Sequence, residues 1–137
     1  MKPWEYGDAT SLWPAQPRLR PWAARHAFAQ RRGDMYGLIG KMIAVPGKRD
    51  ELISILLEGA ATMPGCLSYI IAKDAGDANG IWITEAWESE ASHRASLSLA
   101  SVKEAVAKGR PLIAGFSDRV VTTPVGGTGL GLPDRPR

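Results

Sequence analysis

Between Tyr36 and Thr122 the chain alternates stretches of two-residue and roughly 3.6-residue apolar periodicity, divided by glycine, proline and asparagine. Residues 36 to 45 alternate as a first strand, with Ile39, Lys41 and Ile43 on one face and Leu38, Gly40 and Met42 on the other. Pro46-Gly47 ends it. From Lys48 to Met63, Leu52, Ile55, Leu56, Ala60 and Met63 recur at helical spacing, and Asp50 and Glu51 occupy the first turn, where the helix dipole favours anions. Pro64-Gly65 stops this helix, and a second strand runs from Cys66 to Lys73. The loop from Asp74 to Gly80 is built from residues that tolerate positive φ, so the second strand returns antiparallel as the third. That third strand sets Ile81, Ile83, Glu85 and Trp87 on one face and runs into a helix begun by Ser89 and Glu90. Ser101 and Glu104 have the spacing of a capping box and predict a short helix over 102–108, closed by Gly109 and Pro111. A last strand is expected over 115–122.

The resulting order is α+β, a ferredoxin-like βαββαβ arrangement. Short connections and right-handed crossovers place the first strand between the last and the third, with the second at the far edge of a four-stranded antiparallel sheet. Helices cover one face. On the other, Leu38, Met42, Trp82 and Val121 would form an apolar patch larger than soluble monomers carry. A second copy of the sheet is the expected cover, so a symmetric homodimer is predicted, with the Gly-rich arm of residues 125–137 reaching the partner.

Residues 1–34 follow neither period, and Pro3, Pro14, Pro17 and Pro21 interrupt any helix. Only residues 22–32 could form a short basic helix. This segment reads as a disordered extension, a targeting peptide, or translated upstream sequence before a start at Met35, and the domain is expected to span residues 35–124. The formal charge is +3 in 137 residues, and that excess lies within the first 34. The remainder balances, which argues against a nucleic-acid face. Cys66 is the only cysteine, so no intramolecular disulfide forms, and in its apolar run it reads as a small buried side chain. No apolar run approaches the roughly 20 residues of a membrane-spanning helix. A soluble, cytoplasmic protein is expected.

Three runs carry a resemblance: Pro-Gly-Lys-Arg-Asp-Glu-Leu at 46–52, Pro-Gly-Cys-Leu-Ser-Tyr at 64–69, and Thr-Glu-Ala-Trp-Glu-Ser-Glu-Ala-Ser-His at 84–93. Together they resemble the antibiotic biosynthesis monooxygenase domain, especially its quinol-monooxygenase-like members. The resemblance implies a dimeric α+β barrel and oxidation of a phenolic or quinol-type aromatic by O₂ without metal or flavin, so no cofactor is expected. It also implies that Trp87 lines a pocket between sheet and helices, with Glu85 two residues before it and His93 early in the next helix. A haem-degrading branch wants an asparagine on the first strand and a histidine on the later helix. Here Lys41 stands in the first place, and residues 103–108 contain no histidine, which argues against haem degradation.

Oxygenation without a cofactor needs an electron-rich substrate anion, and therefore an apolar cavity, a base and a donor for the oxyanion. The expected catalytic residues are His93, as the base with an unperturbed pKa near neutrality, with Trp87 and Glu85. Lys41, Tyr69 and Ile83 are the expected substrate contacts. All but Ile83 have a plainer alternative: a solvent-facing His93, Trp87 and Tyr69 as core aromatics, and a structural ion pair between Lys41 and Glu85 on the helix-covered face. Two other function classes fit the same pattern, a non-catalytic binder of an aromatic metabolite and an isomerase or dehydratase.

Overall fold

A computed structural model describes residues 34–130. The expected extension, with its basic helix at 22–32, and the end of the Gly-rich arm lie outside the described residues. Strand β1 (Tyr36–Ala44) is followed by helix α1 (Arg49–Gly59), strands β2 (Cys66–Lys73) and β3 (Gly80–Trp87), helices α2 (Glu90–Ser96) and α3 (Ala100–Gly109), a single 3₁₀ turn, and strand β4 (Ile113–Thr122). All neighbouring strands are antiparallel in the order β2-β3-β1-β4, the ferredoxin-like arrangement expected.

The register decides which residues meet the helices. Leu38 lies opposite Glu85, Gly40 opposite Ile83 and Met42 opposite Ile81. The even positions of β1 therefore share a face with the odd positions of β3, and this face packs against α1. Met42, Leu52, Ile81 and Ile83 are essentially buried, in one cluster with Ala44, Leu56 and Ile113. Side chains of this size contribute about 1.5–3 kcal/mol each when fully removed from water. A second cluster of Tyr36, Leu38 and Trp87 occupies one end of the sheet, and Tyr69 packs against both.

This register corrects two expectations. Leu38 and Met42 belong to the helix-covered core, not to the opposite face. Lys41 lies across from Trp82, on the opposite face from Glu85, so the proposed ion pair does not form. Its ammonium instead meets Asp74 Oδ2 at 2.8 Å and Asp77 Oδ2 at 3.2 Å, and the Trp82 indole N–H donates to the same Asp74 oxygen at 2.9 Å. The physical reason is desolvation. An ammonium on the covered face would be stripped of water, whereas here it closes the β2–β3 loop at a partly wet surface. Arg49 donates to the Asp77 carbonyl at 2.8 Å and ties the same loop to α1.

The helix starts divide in the same way. Ser89 caps α2 as expected, its Oγ accepting from the Ser92 N–H at 3.1 Å. The Ser101–Glu104 capping box is not used: α3 begins one residue before Ser101, with Leu99 at its cap position and no side-chain bond. Gly65 adopts φ +80, and a Cβ there would meet Ser92 Cβ at 2.6 Å. The turn before β2 thus lets α2 lie directly against it, which fixes where His93 stands. Among the described residues no helix is long and apolar enough to cross a membrane.

Candidate active site

Glu85 and Trp87 leave the same face of β3 two residues apart, as the strand period requires. The Trp87 indole N–H donates to Glu85 Oε2 at 2.8 Å, and both side chains are buried. His93, on the first turn of α2, brings Nε2 to 3.8 Å from the same oxygen. That is too long for a hydrogen bond and short enough for strong electrostatic influence. Its ring meets Trp87 edge-on at 5.4 Å between centroids and Tyr36 at 5.3 Å. The Ser96 hydroxyl donates to the His93 carbonyl at 2.5 Å, holding the turn that carries the ring.

Burial moves the two acid–base groups in opposite directions. Desolvation penalises the charged form, so Glu85 is pushed up to about 7, although the Trp87 N–H and the Arg119 charge work to lower it. His93 is pushed down to about 4, by desolvation first and by Arg119 second. At neutral pH the imidazole is uncharged and the carboxyl is poised at its midpoint. Burial likewise raises the phenol of Tyr36, the thiol of Cys66 and the phenol of Tyr69.

Tyr69 lies directly opposite Glu85 across the β2–β3 ladder. It also floors an apolar cleft of about 30 Å³ between α1, α3 and β2, lined by Leu56, Met63, Val102 and Val106 among others. A water needs roughly 10–15 Å³, so a cleft of about 30 Å³ admits about two waters and no aromatic ring. Ile83, 1% exposed, is core packing one row below Glu85.

The structure thus gathers Glu85, Trp87, His93 and Tyr69 on one face and leaves Lys41 on the other. It adds two residues that periodicity did not single out, Tyr36 and Arg119. Tyr36 could have been found from the register alone, since it lies opposite Trp87. Among the described residues no group of three His, Cys, Asp or Glu side chains is placed to hold a metal ion.

The sequence profile of the antibiotic biosynthesis monooxygenase family matches residues 35–108. The chain belongs to that family. A crystal structure of a family protein from Chloroflexus aurantiacus J-10-fl is 63% identical, covers 71% of this chain and 99% of its own, and superposes with a TM-score of 0.70. Another, from Caulobacter crescentus CB15, is 22% identical over 72% of this chain and 94% of its own, with a TM-score of 0.60. SnoaB, a cofactor-independent oxygenase from Streptomyces nogalater, has the same fold at 15% identity, covering 69% of this chain and 97% of its own, with a TM-score of 0.59. No curated protein matches the chain. Membership supports a monooxygenase-like function acting on a small molecule, at the level of the family.

Proposed function

We propose that this family member is a cofactor-independent monooxygenase that oxidises a quinol-like or phenolic aromatic compound with O₂, working as a homodimer in the cytoplasm. The observation that carries this reading is the Glu85 carboxyl, held by the Trp87 N–H at 2.8 Å in apolar surroundings and poised at about 7. A base of that strength removes a phenolic proton at neutral pH, where an ordinary carboxylate is too weak. The phenolate left behind is electron-rich enough to pass an electron to O₂. Over the whole reaction, a ring C–H para to the phenolic oxygen, or ortho to it in a hydroquinone, becomes a carbonyl. One atom of O₂ is retained, and the other leaves as water with the two hydrogens given up by the substrate.

Glu85 takes the role of base, and His93, uncharged at neutral pH with its Nε2 3.8 Å from the same carboxyl oxygen, walls the site as a neutral neighbour. Trp87 orients the carboxyl and walls the pocket. Tyr69 stands where the cleft between α1 and α3 would admit the ring. Admission requires these helices to part, and they touch through small residues: a Cβ on Gly59 would lie 2.5 Å from the Ala105 Cβ. Metal-stripped protein given a panel of hydroquinones and polycyclic phenols in an oxygen electrode tests the reading. Catalytic O₂ uptake with at least one compound is expected. Saturable binding of the aromatic without uptake would assign the cavity to a non-catalytic binder.

A further inference from the structure

The charge of Arg119 reaches Tyr36, Glu85 and His93, and a fold irregularity sets the residue on their side of the sheet. The β1–β4 register shifts between Lys41, opposite Asp118, and Met42, opposite Phe116, which leaves Ser117 as an extra residue. A bulge of this kind reverses the alternation of the strand beyond it. Phe116 and Arg119, three apart, consequently both lie beside inward-facing positions of β1, Met42 and Gly40. Continued from Phe116 without the extra residue, the pairing would set Arg119 opposite Ile39, on the face that carries Lys41. Gly40, paired with Arg119 on β4 and with Ile83 on β3, presents no side chain between them. Its Nε is shielded from solvent.

Tyr36 of β1, Glu85 of β3 and His93 of α2 all feel this charge, which lowers each of them. The other charged groups facing the cluster are Glu90 and Arg94 of α2, which are paired with one another at 2.9 Å on the exposed side of that helix. Cys66 and Tyr69, from β2, are held neutral by burial. When a phenolic proton moves to a Glu85 oxygen, the O–H bond of the substrate breaks and one forms on the carboxyl. The negative charge then remains on the substrate, in a site whose own carboxyl has become neutral.

We propose that Arg119 holds this oxyanion, making the site selective for aromatic compounds bearing an ionisable hydroxyl. The substrate class rests on the oxygenase reading above, and the binding test does not depend on turnover. The probe is 4-nitrophenol, whose ionisation is read directly in its visible absorbance. Bound to the wild-type protein, it is expected to ionise about one pH unit or more below the free compound, as an acid beside a cation does. Arg119→Met should abolish that displacement, and Arg119→Lys should retain much of it, with circular dichroism confirming that both fold. If Arg119→Met does not fold, Arg119→Gln takes its place in the comparison. An undisplaced ionisation on the wild type, no binding of the probe, or an equal displacement in the charge-removing variant would each overturn the proposal. O₂ uptake failing with every phenol while the displacement persists would overturn the oxygenase reading and leave the anion site standing.

Discussion

Replacing Glu85 by Gln removes one titrating group and leaves an oxygen for the Trp87 N–H, so its effect on stability isolates the buried carboxyl. Burial lifts Glu85 from 4.5 to about 7. Between those values the folded protein keeps a proton that the unfolded chain has released. The stability contributed by this group is therefore fully present below 4.5 and lost as pH rises through 7. At about 1.4 kcal/mol per pH unit, the loss amounts to about 3 kcal/mol. His93 has the opposite sign. Lowered from 6.5 to about 4, it contributes stability that is present above 6.5 and lost as pH falls through 4. In the wild type the two slopes nearly cancel between about pH 4.5 and 6.5. Urea denaturation of both proteins at half-unit pH steps should show Glu85→Gln gaining about 3 kcal/mol relative to the wild type from pH 4.5 to 7. A difference that stays constant across that range would mean that Glu85 titrates as an ordinary carboxylate, and the reasoning from burial would be refuted.

Three further perturbations probe other joints of the account. Trp87→Phe removes the donor to Glu85 and part of the core, and should cost roughly 2–4 kcal/mol in denaturation while raising Glu85 above its wild-type value in a carboxyl NMR titration. Gly65→Ala should cost more than Gly47→Ala: both sit at φ +80, a penalty of about 1–2 kcal/mol, but only the Cβ at 65 meets Ser92 and would displace the His93 ring resonances. Lys41→Met should leave the Glu85 titration untouched while Asp74, now held at about 2 chiefly by the Lys41 hydrogen bond, returns towards its ordinary 3.8. A changed Glu85 titration in that variant would put Lys41 back at the site.

The order of elements was legible because each boundary carries its own chemistry. Pro46-Gly47, Pro64-Gly65 and the Asp74–Gly80 loop are turns in any context, and Ser89 caps a helix through a bond local to its own turn. What failed was information spread across strands. Both faces of β1 are apolar enough to be the covered one, and choosing the face of Ile39, Lys41 and Ile43 placed Lys41 beside Glu85. The register reverses that choice. One local signal pointed the right way: the even face from Tyr36 to Ala44 holds no charge, and a face under helices has to be dry. Arg119 was hidden for a related reason, since the bulge at Ser117 breaks the alternation by which its face would be read. Proposing Glu85 in place of His93 as base has a third reason. An unperturbed pKa favours the histidine, and only three-dimensional burial shows that the carboxyl is the group brought to neutrality.

The central claim is that Glu85 is the base of a metal-free oxygenase, and the pH dependence of O₂ uptake tests it most directly. With a phenol that remains protonated over the range, kcat/KM should rise with pH and level off with an apparent pKa near 7, the value of Glu85. Glu85→Gln should abolish turnover while still binding the aromatic. An inflection near 4, the value of His93, or undiminished O₂ uptake by Glu85→Gln, would contradict the claim.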